Sequence, residues 1–164
     1  MKYKTLAAVG LAFLVSACDT PPGGGGSGSG LAPVGAGDPS NPDSVAYFQQ
    51  TIGDRVLFLV DQSTLTPEGM ATLDQQAAWL IDRPAVNILI EGHADEQGTR
   101  EYNLALGARR AAAVQTYLVS KGLTDARVRT ITYGKERPLE ICSTEACWAK
   151  NRRAVTVVEG GLGS

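Results

Sequence analysis

The stretch EGHADEQGTREYNLALGARR, residues 91–110, contains the change of pattern that decides the fold. It overlaps the end of an alternating apolar segment, VNILIEG at 86–92, which predicts a β-strand. A polar loop follows, in which Gly98 allows a tight turn and Thr99 is placed to cap a helix. The sequence therefore predicts a strand, a loop and then a helix over about 101–121.

The helix expected over 101–121 has one apolar stripe, and two adjacent arginines lie at different distances from it. At about 3.6 residues per turn, the residues that share the buried face are Leu104, Gly107, Ala111, Val114 and Leu118. A flanking stripe contains Asn103, Leu106 and Arg110, whereas Arg109 points away from the core. We therefore expect Arg109 to be solvated and Arg110 to lie beside the core, near the loop that precedes the helix.

Asp95 lies in that loop, and the helix folds back over it, so its carboxylate can approach the guanidinium of Arg110. One interpretation is an internal salt bridge between them. The other is a binding site for a zwitterion, with an ammonium group at Asp95 and a carboxylate at Arg110, whose planar set of donors suits a carboxylate. The residue pattern leaves both interpretations open.

The remaining segments alternate between strand and helix patterns. Further strands are predicted at RVLFLV (55–60), RVRTITY (127–133) and RAVTVV (153–158). A helix begins at Thr66 and Pro67 and ends before Pro84, and a short helical turn is expected around 144–151. This order predicts an α/β (α+β) sandwich, with a mixed sheet of about four strands and two main helices packed on one face.

Residues 1–17 have the pattern of a signal peptide, because two lysines precede the apolar run LAAVGLAFLV, which is too short to span a bilayer as a mature helix. The following LVSAC resembles a bacterial lipobox, which implies cleavage before Cys18 and lipidation of that cysteine. An ordinary signal peptide is the alternative. Asp19 leaves the choice of membrane open, because an aspartate there retains lipoproteins in the inner membrane of some bacteria.

Residues 18–44 contain that cysteine and a segment rich in Gly, Pro and Ser, which cannot bury enough apolar surface to offset its chain entropy. We interpret this segment as a flexible tether. One folded domain is expected over 45–160, followed by a short tail at 161–164.

The composition argues against several classes of function. A net charge of −2 gives no electrostatic reason to bind nucleic acid. One histidine and three cysteines make a multi-histidine metal centre unfavourable, and no cofactor is expected. His93, Asp95, Glu96 and Glu101 could form an acid–base site, but no nucleophile with a base partner is evident, so we expect no enzyme.

Four segments carry a resemblance to a known family. EGHADEQGTREYNLALGARRAAAV (91–114) closely resembles the signature of OmpA-like peptidoglycan-binding domains. The segments that resemble other parts of that family are VLFLVDQSTLTPEG (56–69), TYGKERP (132–138) and NRRAV (151–155). The resemblance covers about residues 50–158, and the lipobox and tether are similar to those of its lipid-anchored branch.

The resemblance implies that the domain binds the stem peptide of peptidoglycan noncovalently, through the ammonium and carboxylate groups of meso-diaminopimelate. Asp95 matches the family acid that takes the ammonium group, and Arg110 matches the arginine that takes a carboxylate. Asp61 matches another pocket aspartate, and Leu106 matches the pocket floor.

Three further positions match the family pattern less directly. Thr99 and Asn103 are implied to order the loop or to help the ligand by hydrogen bonding, and His93 is at most a residue of the pocket wall. The chain departs from many relatives at Gly107, where serine is common, and in lacking an aromatic residue just before Asp61.

The resemblance also implies a setting and partners. The protein would be anchored in the outer membrane with its domain in the periplasm, would bind TolB and other Tol proteins, and would serve envelope integrity and cell division. An adaptor for TolB-like partners that does not bind the wall is the alternative.

Two features near the end of the chain remain. Cys142 and Cys147 lie close together in sequence, which in an oxidising periplasm predicts a disulfide, with a pair of free thiols as the alternative. KNRR, at 150–153, is interpreted as a solvated basic face, with contact to acidic groups of the wall as the alternative.

Overall fold

The structure is a computed structural model that describes residues 37–160. The predicted signal peptide, Cys18, Asp19 and the tail at 161–164 lie outside the described residues.

The helices are α1 (Val45–Tyr47), α2 (Pro67–Ile81), α3 (Arg100–Ser120) and α4 (Glu145–Asn151), with a π-helical turn at Phe48–Gly53 and a 3-10 turn at Asp125–Arg127. The strands are β1 (Arg55–Leu57), β2 (Asn87–His93), β3 (Val128–Gly134) and β4 (Arg153–Glu159). Within residues 37–160, none of the helices has the length and apolar character needed to cross a bilayer.

The four strands form one mixed sheet in the order β1-β4-β2-β3. Strand β4 runs antiparallel to both β1 and β2, whereas β2 and β3 are parallel. Helix α3 makes the crossover that a parallel pair requires, and with α2 it packs against the sheet around a single hydrophobic core. The predicted sandwich of two main helices on a mixed sheet is therefore confirmed.

Helix α3 has the rotational phase that its sequence predicts. Ala111, Val114 and Leu118 are buried in the core, whereas Leu104 of the predicted stripe is only half-buried. On the flank of that stripe Arg110 is completely buried, while the neighbouring Arg109 is exposed. The different environments of the two arginines therefore follow from the helical repeat alone.

Helix α3 approaches the sheet unusually closely where two glycines face each other. A Cβ atom at Gly92 on β2 would overlap the carbonyl group of Gly107 on α3, and a Cβ at Gly107 would overlap the hydroxyl of Thr132 on β3. That hydroxyl donates a hydrogen bond to the carbonyl of Leu104, at 2.9 Å. Because neither glycine has a side chain, α3 can lie this close to the end of β2.

The first strand is shorter than predicted. The run RVLFLV was expected to be extended over 55–60, but β1 ends at Leu57. Phe58 still donates a backbone hydrogen bond to Arg152, at 2.9 Å, and the chain then turns outward. At Asp61 the backbone has a φ of 56°, a left-handed conformation that ends any extended pairing. The apolar run therefore supplies Val56 and Phe58 to the core, but Leu59 is exposed.

The chain before β1 packs more extensively than its composition suggests. Phe48 is completely buried, and its ring lies 4.9 Å from that of Trp79 on α2. The indole N–H of Trp79 donates to the carbonyl of Pro42 at 2.7 Å, within the segment assigned to the tether. The sequence did not predict the two helical pieces at 45–53, the second of which begins with Phe48.

We predict that Gly92→Ala destabilises the domain by about 3 kcal/mol or more, because the added methyl group must push α3 away from the sheet. The free energy of unfolding in urea measures this change. Gly69→Ala on α2 is the matched control, because its Cβ would meet its nearest neighbour at an ordinary 3.4 Å. Similar losses of stability in the two variants would contradict the close approach.

Candidate functional site

A cleft of about 240 Å³ opens between the loop after β1 and the start of α3. The residues that line it are Val60, Asp61, Asp95, Gln97, Gly98, Tyr102, Asn103 and Leu106. Four of the residues nominated from the sequence are among them, and two, Thr99 and Arg110, are not. The fold thus brings most of the nominated side chains to one place.

The loop that carries Asp95 is held by local hydrogen bonds. Gly98 has a φ of 88°, the left-handed turn that its sequence position predicts. Thr99 caps α3 by accepting the N–H of Tyr102, and the side-chain amide of Asn103 donates to the carbonyl of Gln97 at 2.7 Å. In this structure Thr99 and Asn103 therefore order the loop.

Asp95 is 8% exposed, and both of its carboxylate oxygens have partners. Oδ1 accepts the backbone N–H of Gln97 at 3.1 Å, and Oδ2 accepts a guanidinium N–H of Arg152, also at 3.1 Å. The cation that pairs with Asp95 is therefore Arg152, and the proposed Asp95–Arg110 salt bridge is wrong for this structure. The interpretation of KNRR as a solvated face is also wrong, since Arg152 and Arg153 are buried.

Arg110 lies behind the cleft, where it binds the backbone. Its guanidinium donates to the carbonyls of Gln62 at 2.8 Å, His93 at 2.8 Å and Leu59 at 3.3 Å. Burial lowers the pKa of Arg110 to about 10, so it remains charged at neutral pH. The expectation that Asp95 and Arg110 face one shared cavity needs correction, because Arg110 is sealed behind the loop that follows β1.

Asp61 forms the outer side of the cleft and is exposed. It accepts a hydrogen bond from the hydroxyl of Tyr102 on the opposite side. With Asp95 it gives the cleft two carboxylates, while none of its lining residues is a cation. Leu106, only 4% exposed, supplies an apolar floor as the family resemblance implied. The cleft therefore suits a small cation with an apolar stem.

Sequence reasoning missed Arg152 as a site residue. Its guanidinium bridges Asp95 to Glu145 on α4, and it also donates to the carbonyl of Phe58 at 3.3 Å. Burial alone would lower the pKa of Arg152, but hydrogen bonds to Glu145 and Asp95 raise it overall. The tandem arginines of NRRAV were the available signal, but sequence spacing does not say which acid each arginine meets.

His93 does not line the cleft, which corrects its expected place in the pocket wall. Its ring is 1% exposed, and neither ring nitrogen has a hydrogen-bond partner among the described residues. Burial, together with the positive charges of Arg153 and Arg137, lowers the pKa of His93 to about 4. At neutral pH His93 is therefore an uncharged core residue, and its backbone carbonyl is what serves Arg110.

Cys142 and Cys147 are joined by a disulfide, with their Cα atoms 5.8 Å apart. Within residues 37–160, no cluster of three or more His, Cys, Asp or Glu side chains is arranged to hold a metal ion.

A larger cavity, of about 360 Å³, lies beside β1. Its mainly apolar wall includes Leu57, Thr72 and Leu139, and it contains none of the nominated residues. We place the functional site in the smaller cleft because charged and polar groups converge there.

Comparison with known proteins identifies the family of the chain. Residues 57–152 match the model of the OmpA family. A peptidoglycan-associated lipoprotein of Rhizobium meliloti is 55% identical over 131 residues, which cover 80% of this chain and 73% of that relative. A protein of the same name from Agrobacterium fabrum is 46% identical over 156 residues, covering 95% of this chain and 87% of the relative.

Solved structures share the fold of this domain. The crystal structure of the peptidoglycan-associated lipoprotein from Burkholderia pseudomallei is 40% identical, with a TM-score of 0.66, and covers 74% of this chain and all of that one. The C-terminal domain of Helicobacter pylori MotB shares the fold at 20% identity, with a TM-score of 0.61, covering 65% of this chain and 84% of that one.

The chain therefore belongs to the OmpA family. Within that family, the relatives of highest identity described above all carry the name peptidoglycan-associated lipoprotein. The resemblance found in the sequence is confirmed. The OmpA-like proteins of this family are non-enzymatic, in agreement with the expectation that the chain is not an enzyme.

We predict that stability falls as the pH drops from 6.5 to 4, because the folded state holds His93 neutral while the unfolded chain protonates it. This group alone should contribute a loss of about 3 kcal/mol. Urea unfolding at several pH values measures the loss, and His93→Asn, which cannot titrate, is the comparison. The same pH dependence in both proteins would contradict the buried, neutral state of His93.

Proposed function

We propose that this domain binds the stem peptide of peptidoglycan noncovalently, through meso-diaminopimelate, and so ties the outer membrane to the cell wall. The observation that carries the proposal is a cleft with two carboxylates above an apolar floor, set in an OmpA-family fold. The names of the relatives, which describe peptidoglycan-associated lipoproteins, support the same role.

The ammonium group of the ligand would enter between Asp61 and Asp95. A carboxylate oxygen accepts up to two hydrogen bonds, so each oxygen of Asp95 keeps room for a ligand donor beside its present partner. The methylene stem of diaminopimelate would lie against Leu106. Charged hydrogen bonds of this kind contribute about 1.5–3 kcal/mol each.

The second carboxylate of the ligand would bind Arg110 after a local movement. Three of the N–H groups of Arg110 donate to backbone carbonyls, which leaves two of its five without a hydrogen-bond partner among the described residues. The carbonyls of Leu59 and Gln62 belong to the loop after β1, where Asp61 has a left-handed backbone conformation. Displacement of this loop would open a path from the cleft to Arg110.

The proposal also includes the membrane anchor, the tether and the partners of the domain. Lipidation at Cys18 would anchor the chain, and residues 18–44 would give the domain reach from the membrane to the wall. Placement in the outer membrane, action with TolB and other Tol proteins in envelope integrity, and a part in cell division follow the lipoprotein branch of the family. Because Asp19 leaves the choice of membrane open, membrane fractionation would show whether the anchor lies in the inner or the outer membrane.

We predict that Asp61→Asn weakens binding of a diaminopimelate stem peptide by about tenfold or more, because it removes one of two charges facing the ammonium group. Calorimetric titration measures the affinity. Arg109→Ala is the control, since Arg109 lies outside the cleft and is exposed. Equal losses in both variants, or none in either, would contradict the assignment of the cleft.

A second titration tests Arg110 without changing it, because its removal would take a buried donor from three backbone carbonyls and endanger the fold. A lysine-type stem peptide lacks the second carboxylate, so it should bind at least about tenfold more weakly. Equal affinities would mean that Arg110 stays structural. Failure of the full chain to sediment with isolated sacculi, together with capture by TolB, would favour the adaptor function instead.

A further inference from the structure

A disulfide-closed loop packs against the back of the cleft. Cys142 and Cys147 close this loop, which also forms the first turn of α4. Glu145 lies inside the loop, and its carboxylate pairs with the guanidinium of Arg152. The same guanidinium holds Oδ2 of Asp95 at 3.1 Å. An unbroken chain of contacts therefore runs from the disulfide to the acid of the cleft.

The loop touches the segment around Asp95 at a second point. The indole N–H of Trp148, one residue after the disulfide, donates to Oε1 of Glu96 at 3.1 Å. Hydrogen bonds from Ser143 and Trp148 lower the pKa of Glu96, in agreement with this contact. Arg152 and Trp148 thus depend on where the disulfide-closed loop lies, whereas a third neighbour, Lys135, donates to the carbonyls of Glu96 and Gly98 independently of it.

The two ion pairs of Arg152 differ in how far they are exposed to solvent. The pair with Asp95 is buried, so an uncompensated charge there is costly. The pair with Glu145 is different, because the Glu145 side chain is 62% exposed, and exposed pairs are weak unless the backbone holds them in register. A short covalent loop supplies that restraint by limiting the conformations of Glu145.

We propose that Arg152 is a positioning residue for ligand binding, and that the Cys142–Cys147 disulfide sets its position through Glu145. The oxidised loop fixes Glu145, Glu145 fixes one side of the Arg152 guanidinium, and the other side orients the carboxylate of Asp95 toward the cleft. When an added dithiol reduces the disulfide to two thiols and is itself oxidised to a disulfide, Glu145 and Trp148 are released together, so the cleft loop loosens and binds its ligand more weakly. This inference rests on the proposed function of the cleft as an ammonium site.

A measurement without ligand tests the structural part. The backbone N–H of Gln97 donates to Oδ1 of Asp95, so its hydrogen exchange reports how firmly that carboxylate is held. In the full chain, reduction or the pair Cys142→Ser and Cys147→Ser should speed exchange at Gln97 at least tenfold, while the amide of the buried Leu118 stays unchanged. Unchanged exchange at Gln97 would overturn the proposal.

Titration with the diaminopimelate stem peptide tests the functional part. Removing the disulfide should weaken binding about tenfold, and Glu145→Gln should do the same. Combining the two changes should add little, because both act through one chain of contacts. Lys150→Gln is the matched control on α4. Among the described residues Lys150 pairs with Glu140, and no ion pair joins it to Asp95, Glu145 or Arg152. Arg152→Lys keeps the charge but not the two-sided donor geometry, so it should bind more weakly than wild type and remain folded.

The outcomes separate the two proposals. If the oxidised wild-type protein fails to bind the peptide, the proposed function of the cleft is wrong, while exchange at Gln97 still tests the coupling. If the wild type binds and the disulfide, Glu145 and Arg152 variants bind equally well, the positioning role is overturned. Additive losses from the disulfide and Glu145 changes would also contradict it, because they would place the two on independent routes.

Discussion

The buried guanidinium of Arg110 is the interaction on which the site depends. It lies on α3 and donates to carbonyls on two other segments, the loop after β1 and the end of β2. Each segment would otherwise leave a carbonyl unpaired beside the core, which costs about 1–3 kcal/mol per group. One side chain therefore joins the three pieces of chain that form the cleft. The close contact of Gly92 with Gly107 makes this possible by bringing α3 against the sheet.

The arrangement of charge around the cleft follows from this use of Arg110. Since the donors of Arg110 face the backbone, the carboxylate of Asp95 is balanced by a second arginine, Arg152, which lies just before β4, the strand next to β2. The structure divides between Arg110 and Arg152 the roles that the sequence analysis gave to Arg110 alone. Arg110 shapes the loops and Arg152 pairs with Asp95, while on the open side of the cleft the carboxylate of Asp61 has no cation beside it among the lining residues.

Much of the fold could be predicted because it depends on short-range patterns. The caps at Thr66 and Thr99, the turn at Gly98 and the repeat of α3 are local, and the structure contains each of them. The end of β1 could not be predicted, because an apolar run does not state how many of its residues find a partner strand. The helical pieces at 45–53 were missed for a similar reason, since Phe48 gains its buried position against residues distant in sequence, such as Trp79.

The sequence by itself determined the family, the order of the elements and the burial of Arg110, because helical periodicity and a long signature motif are both written along the chain. It also nominated the residues that meet at the cleft. Only the tertiary structure decided which charges pair, because Asp95 and Arg152 are far apart in sequence and meet through the packing of α4 and β4 against the cleft loop. Periodicity fixes the face on which a residue lies, but the partner it meets there depends on distant segments that the sheet brings together.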